Sequence, residues 1–100
     1  MLVKIFIKRR FKKGKVKEIN ALLRDFRSGA MTQPGYVSGE TLVSYDDPQD
    51  VLVIGTWQNM ESWLAWKDNQ RRRDFEAMLE MYQEGGTHYE SYVLGIPPQP

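Results

Sequence analysis

The sequence has 100 residues, of which 41% are hydrophobic and 27% are charged, and it contains no cysteine. A single domain is expected, and the lack of cysteine excludes disulfides, zinc thiolates and thiol nucleophiles. No apolar run approaches the length of a membrane span, and the apolar stretch at the N-terminus is short and broken by Lys4. We therefore expect a cytoplasmic protein with no signal peptide and no membrane partner.

Charge is unevenly distributed, although the net charge is only +1. Residues 1–30 hold ten Lys or Arg against two acids, whereas residues 31–100 hold four against eleven. Such segregation indicates either a basic arm for nucleic acid or two elements of opposite sign that pack together. The second interpretation predicts ion pairs between the first and last helices. Their basic members would be Lys17, Arg24 and Arg27, and their acidic members Glu76, Glu80 and Glu84.

The first half of the chain predicts a strand, a helix and a second strand. Alternating apolar residues predict a strand over residues 2–8. Apolar residues at helical spacing predict a helix over about residues 15–31, which the Pro34-Gly35 turn ends. The second strand is expected over residues 36–45, with Gly39 as a bulge or a point of close approach.

The second half predicts a hairpin partner, a helical segment and a last strand. After a turn at residues 46–48, a third strand is expected over residues 51–57. Asn59 caps a short helix that runs to about residue 67. Asp68 or Asn69 restarts a helix, and Gly85-Gly86 ends it before a strand over residues 87–94. The apolar stripe of this helix would be Phe75, Met78, Leu79 and Tyr82.

The element order βαββαβ predicts a ferredoxin-like α+β fold over residues 1–95, with a loose tail at 96–100. Right-handed crossovers give a four-stranded antiparallel sheet with helices on one face. The other face would expose a large apolar patch, for which a second copy of the chain is the simplest cover. We therefore expect a homodimer joined sheet to sheet. The patch would consist of Leu2, Phe6, Leu42, Ile54 and Tyr92.

All three tryptophans lie at one strand-to-helix junction: Trp57 ends the third strand, and Trp63 and Trp66 follow on the next helix. They are either the walls of a pocket for a flat aromatic ligand or simply core. Core packing is favoured for Trp57. With Met60, Trp63 and Leu64 inward, Trp66 would lie at the edge of the stripe, where both interpretations hold equally.

The pattern Pro-Gly, strand, Asp-Pro, strand, Trp, helix resembles the antibiotic biosynthesis monooxygenase family of small dimeric α+β barrels. In the branch of that family that oxidises anthrone-type polyketides, the strand-end Trp matches Trp57. The resemblance is incomplete, because the Asn of that branch is replaced by Val53 and its helical Tyr by Trp63.

The same comparison extends to the haem-degrading branch of the family. There the helical Trp matches Trp66, but Glu76 occupies the position of the iron-ligating His, and the Asn of the first strand falls at about Ile7. Two of three signature residues are thus absent, and we do not expect haem degradation.

Three polar residues are candidates for catalysis: His88, Tyr82 and Tyr36. His88 is the only histidine, and a histidine in a cleft is a candidate base for a phenol or quinol. The competing interpretation, a solvent-facing strand residue, is favoured because no partner motif accompanies it. Glu76 and Glu80 look like a solvated acidic stripe, and no spacing predicts a metal site.

The resemblance implies a cofactor-independent monooxygenase that acts on a small aromatic or quinone-like molecule, without cofactor or metal. Trp57, Trp63 and Trp66 would form the pocket walls. The missing Asn and His favour an alternative, a non-catalytic dimeric ligand-binding or stress-related barrel. A third interpretation is an RNA-binding domain that uses basic residues 8–17 with Phe11 stacked on a base. Near-neutral net charge argues against it, so we expect no nucleic-acid partner.

Overall fold

The structure, a computed structural model, describes residues 1–95, so the predicted tail at 96–100 lies outside the described residues. The order of elements agrees with βαββαβ, with the second crossover divided into two helices. The elements are β1 (Val3–Arg10), α1 (Val16–Met31), β2 (Tyr36–Val43), β3 (Asp50–Trp57), α2 (Met60–Lys67), α3 (Gln70–Glu80) and β4 (His88–Val93).

The four strands form one antiparallel sheet in the order β2-β3-β1-β4. The central strand β1 pairs with β3 on one side and with β4 on the other, so that Val3 lies opposite both Trp57 and Val93. The predicted ferredoxin-like α+β fold is confirmed. Over residues 1–95, no helix is long and apolar enough to cross a membrane.

Alternation along β1 determines which side chains enter the core. Val3, Ile5 and Ile7 are buried, as the alternation predicts, and the buried face continues through Arg9 to Phe11. The strand therefore ends two residues later than predicted, and a guanidinium occupies an inward position. A buried charge needs a partner, because its loss of hydration is otherwise uncompensated.

Asparagine side chains cap both helices of the second crossover. The carboxamide oxygens of Asn59 and Asn69 accept hydrogen bonds of 2.8 Å from backbone N–H groups in the first turns of α2 and α3. The cap of α2 is as predicted, and Asn69 rather than Asp68 begins α3. These caps satisfy helix N–H groups that have no partner within the helix.

The predicted inward stripes of α2 and α3 are partly wrong. Leu64 on α2 is 47% exposed, whereas Trp66 is fully buried. Of the predicted stripe of α3, Met78 is 40% exposed, whereas Arg72 takes an inward position with Leu79. In place of the aliphatic side chains, the Arg72 guanidinium lies over the rings of Phe26 and Trp63.

The charge segregation arises from β1 and not from α1. Helix α1 does pack against α3, with the rings of Phe26 and Phe75 stacked at 5.3 Å. However, within residues 1–95 no ion pair joins the two helices, so that prediction is wrong. The acids of the later chain pair instead with consecutive β1 residues. The pairs are Lys8–Glu90 (2.8 Å), Arg9–Glu76 (2.7 Å), Arg10–Asp47 (2.7 Å), Arg10–Asp50 (3.0 Å) and Arg10–Glu84 (3.2 Å).

Gly35 allows the chain to turn tightly against the start of α2. Its φ is +85°, and a Cβ at this position would lie 2.5 Å from Cβ of Ser62 and even closer to the Ser62 hydroxyl. Gly14 has a similar φ of +86°, but a Cβ there would meet no atom within 4 Å. The two glycines thus share a backbone conformation and differ in the space around them.

We predict that Gly35→Ala destabilises the protein more than Gly14→Ala. The left-handed backbone alone costs alanine about 1–2 kcal/mol at either site. At residue 35 overpacking against Ser62 adds about 1–3 kcal/mol. Urea denaturation of both variants measures the difference. Equal losses of stability would show that α2 shifts to accommodate the added methyl group without loss of free energy.

Candidate functional site

A cavity of about 60 Å³ lies between the helix-covered face of the sheet and the helices. All three predicted wall residues line it: Trp57, Trp63 and Trp66. Each is at most 3% exposed, and the rings of Trp57 and Trp63 lie 6.0 Å apart. The tryptophans are therefore core and cavity wall at once, because the cavity lies among core side chains.

Tyr36 brings an unpaired hydroxyl group to this cavity. Its ring stands edge-on to that of Trp57, with centroids 5.3 Å apart and an angle of 87° between the planes. The hydroxyl oxygen is buried and has no hydrogen-bond partner within residues 1–95. It fits because Gly39 has no side chain: a Cβ there would lie 2.5 Å from it. Of the two roles predicted for Gly39, close approach is the observed one, and the irregularity of β2 lies between Tyr36 and Ser38.

A buried ion pair joins β1 to α3 beside the cavity. Arg9 donates a 2.7 Å hydrogen bond to Glu76, and their side chains are 3% and 12% exposed. Thr87 also donates to the Glu76 carboxylate, at 2.9 Å. Burial by itself raises the pKa of Glu76, but the charge and hydrogen bond of Arg9 outweigh it and hold that pKa below its ordinary value. The sequence predicted that Glu76 is solvated. It is instead ionised and largely buried.

A second buried guanidinium, that of Arg72, is held mainly by aromatic rings. Its central carbon lies 5.0 Å from the ring centroids of Phe26 and Trp63 and 5.5 Å from that of Tyr89. It donates a 3.1 Å hydrogen bond to the Tyr89 hydroxyl, which donates in turn to Glu76 at 3.2 Å. Burial raises the pKa of Tyr89, so the phenol stays neutral. The Nε atoms of Arg72 and Arg9 are buried and, among the described residues, have no partner.

One exposed side chain marks the mouth of the cavity. Arg27 on α1 lines the cavity opposite the edge strand β2 and extends toward solvent, whereas the Glu40 side chain, paired with Ile54, lies on the other face of the sheet. Long side chains at a surface change rotamer at little cost, so the opening can widen between α1 and β2. The deeper walls are fixed, because the three indoles and the Arg9 guanidinium are buried in the core.

The structure brings only one of the three predicted catalytic residues to the cavity. Tyr36 lines it; Tyr82 is half-buried against the core and does not line it; His88 is exposed. His88 pairs with Lys8 on β1, so its side chain points to the sheet face opposite the tryptophans. Within residues 1–95, no group of three or more His, Asp or Glu residues is arranged to hold a metal ion.

Sequence reasoning missed the two arginines and mistook the role of Glu76. One signal was available for Arg9, since it continues the alternation of Val3, Ile5 and Ile7 and must point inward if the strand extends. Glu76 occupies the position of the iron ligand in the haem-degrading branch, and its carboxylate is already bonded to Arg9. Phe11 is 3% exposed and cannot stack on a base as the RNA-binding interpretation requires.

The antibiotic biosynthesis monooxygenase family model matches residues 2–78 of the chain. Protein SchA of Streptomyces halstedii is 28% identical over 61 residues, which are 61% of this chain. The match spans only 16% of the length of SchA.

Solved structures resemble this one over almost the whole chain. A conserved protein from Methanosarcina mazei Go1 has a TM-score of 0.86 at 14% identity, covering 92% of this chain and 91% of that one. SnoaB, a cofactor-independent oxygenase from Streptomyces nogalater, has a TM-score of 0.84 at 11% identity, covering 96% and 95%. At these identities the likeness establishes the fold alone.

We predict that Glu76→Ala lowers the free energy of unfolding by about 3–5 kcal/mol, because it leaves the buried Arg9 charge without its partner. Glu80→Ala is the matched control, since Glu80 lies one turn later on α3 and is exposed. Urea denaturation at neutral pH measures both variants. A small loss for Glu76→Ala, equal to that of the control, would contradict a stabilising role for the pair.

The difference between the wild type and Glu76→Ala should also depend on pH. Because the folded-state pKa of Glu76 is lowered, its contribution is complete above the ordinary value of 4.5 and is lost as the pH falls through the folded-state value. Denaturation midpoints of the two proteins should therefore converge in acid. A constant difference down to the acid transition would mean that Glu76 is not ionised in the fold.

Proposed function

We propose that this chain, which belongs to the antibiotic biosynthesis monooxygenase family, is a cofactor-independent monooxygenase that acts on a small aromatic molecule of the quinol type. The observation that carries the proposal is the buried hydroxyl of Tyr36. It has no hydrogen-bond partner among residues 1–95, and it lies at a cavity walled by three indoles. A buried donor without a partner is rare in folded proteins, and a ligand oxygen would satisfy it. Flat apolar walls suit an aromatic ring.

The size of the cavity favours a single ring over a polycyclic substrate. Its volume is about 60 Å³, whereas an apolar cavity of ~150 Å³ accommodates benzene. One ring fits when the exposed side chain of Arg27 moves outward at the mouth. A fused three-ring system would require the buried indoles to move as well, which would disrupt the core.

In the proposed reaction the quinol loses a proton, and its anion reduces dioxygen directly. The proton leaves to solvent through the mouth between α1 and β2. The Tyr36 hydroxyl donates a hydrogen bond to the oxyanion that develops on the ring, in a site from which water is excluded. One atom of dioxygen enters the ring and the other leaves as water, so that a quinol and dioxygen give a hydroxyquinone and water.

The alternative is a barrel that binds a small ligand without turning it over. The small volume of the cavity favours this alternative, as does the distance of His88 from it, which leaves no imidazole base at the site. The two functions differ in one measurable respect. Both predict quenching of tryptophan fluorescence by ligand, but only the oxygenase consumes dioxygen.

We predict that the protein accelerates dioxygen uptake by single-ring quinols and that Tyr36→Phe lowers kcat by about 10²–10³-fold, as removal of an oxyanion donor does. Tyr45→Phe is the matched control, because the Tyr45 side chain is 99% exposed. An oxygen electrode measures uptake above the autoxidation rate, and ¹⁸O₂ labelling follows the oxygen atoms.

The labelled product distinguishes the outcomes of this experiment. One ¹⁸O atom in the hydroxyquinone and one in water supports the monooxygenase. Release of both atoms as hydrogen peroxide would identify an oxidase instead. Ligand-dependent quenching without dioxygen uptake would overturn the proposal in favour of the binding protein.

We also propose that the chain acts as a homodimer joined through the uncovered face of the sheet. That face carries an apolar strip of half-buried and exposed side chains: Phe6, Leu42, Leu52, Ile54 and Tyr92. Covering each large side chain contributes roughly 1.5–3 kcal/mol. The sum is comparable with the total stability of a small domain. A two-fold dimer places the same strip of both copies in contact.

We predict that the wild type sediments as a dimer at micromolar concentration and that Leu42→Asp gives monomeric or aggregated protein. Leu42 is 43% exposed in the single chain. Leu64→Asp is the control, because Leu64 is 47% exposed on α2, away from the strip. Analytical ultracentrifugation distinguishes the species, and a folded monomeric wild type would contradict the dimer.

A further inference from the structure

The charges buried at the cavity do not balance. Arg9 and Arg72 contribute two positive charges, and Glu76 contributes one negative charge. Arg27 at the mouth reaches solvent, so its charge is screened by water and ions. Because Arg9 and Glu76 form a direct pair at 2.7 Å, the uncompensated charge is that of Arg72.

Arg72 is held in a way that leaves part of its hydrogen-bonding capacity free. Its neighbours are three aromatic faces and one neutral hydroxyl, which stabilise a cation but do not neutralise it. Its Nε is buried without a partner in residues 1–95, and so is that of Arg9. Both residues line the cavity. Buried charges in folded proteins are paired, so a counter-charge in the cavity would complete this one.

We propose that the cavity binds its ligand as an anion, through an oxyanion on the ligand that meets the Arg72 guanidinium. This names the substrate class of the proposed oxygenase, an aromatic ring that carries a carboxylate or an ionised hydroxyl. The identity of the substrate rests on the proposed function, but the preference for an anion does not. Arg72 is the binding residue, and Arg9 with Glu76 positions the network.

The test compares ligands that have the same shape and differ in charge, at neutral pH and constant ionic strength. Benzoate and benzamide form one pair. Acetate and acetamide form a second pair, small enough to enter without widening the mouth. Binding is followed by tryptophan fluorescence and by the NMR signals of the three indole N–H groups. The anion of at least one pair should bind about tenfold tighter than its amide, because charge-assisted hydrogen bonds are roughly twice as strong as neutral ones.

Two variants of Arg72 separate its charge from its packing. Arg72→Lys keeps the positive charge and should keep the preference for the anion. Arg72→Met removes the charge and leaves the Arg9–Glu76 pair, which is neutral as a whole, so the anion and its amide should bind equally. Circular dichroism checks that both variants fold. If Arg72→Lys and Arg72→Met reduce anion binding to the same extent, Arg72 acts by packing and the proposal is wrong.

Glu76→Gln provides a test of opposite sign. The amide keeps an oxygen that accepts from Thr87 and Tyr89 but removes the negative charge, so anions should bind tighter than in the wild type while the fold becomes less stable. Damage to the fold would instead weaken binding. Equal binding of anion and amide to the wild type in both pairs overturns the proposal, whatever the variants do.

These results are independent of turnover, since neither benzoate nor acetate is a quinol. A preference for anions without dioxygen uptake would reject the oxygenase and retain the anion site. Dioxygen uptake by neutral quinols without any preference for anions would retain the oxygenase and reject the anion site.

Discussion

The Arg9–Glu76 ion pair is the constraint on which the arrangement of the second half of the molecule depends. Arg9 faces inward because the alternation of β1 continues past its apolar residues, and a guanidinium at that depth requires an acceptor. Glu76 supplies it from α3, which fixes that helix against the centre of the sheet. Thr87 and Tyr89, which flank the start of β4, bond to the same carboxylate. One buried charge thus ties together β1, α3 and β4.

The cavity is a consequence of the same packing. Planar groups, the indoles of Trp57, Trp63 and Trp66 and the guanidinium of Arg72, fill the layer between helices and sheet. The rings of Trp57 and Trp63 meet at 54°, so they are tilted and not stacked, and the cavity lies beside them. The space is bordered by polar atoms that the described residues do not satisfy. A ligand with an aromatic ring and an oxyanion would complete it.

The two faces of the sheet have different roles. The helix-covered face encloses the candidate site, and the uncovered face carries the proposed dimer contact. His88 belongs to the second face, because strand side chains alternate and its register with Lys8 is fixed by β1. An imidazole is a candidate base, but the position of His88 on the opposite face keeps it out of the cavity. Tyr36 reaches the cavity because β2 is irregular between Tyr36 and Ser38.

The local features were readable from the sequence in physical terms. Alternation and helical spacing identified every strand and helical segment, Asn59 identified a cap, and the turn residues gave the order from which the antiparallel sheet follows. The tryptophan junction also located the cavity walls. Strand and helix boundaries differed by a few residues, and the end of β1 was the error that mattered, because it hid the inward position of Arg9.

The order of elements and the aromatic character of the site could be read from the sequence, since both follow from the pattern of residues close in the chain. The antiparallel sheet then followed from that order and from the handedness of the crossovers. Only the tertiary structure decided which acids neutralise which bases, because Arg9 and Glu76 are 67 residues apart and any acid of the later chain could have paired. The same holds for the excess charge of Arg72 and the buried hydroxyl of Tyr36. Whether a polar group has a partner becomes visible only when its neighbours in space are known.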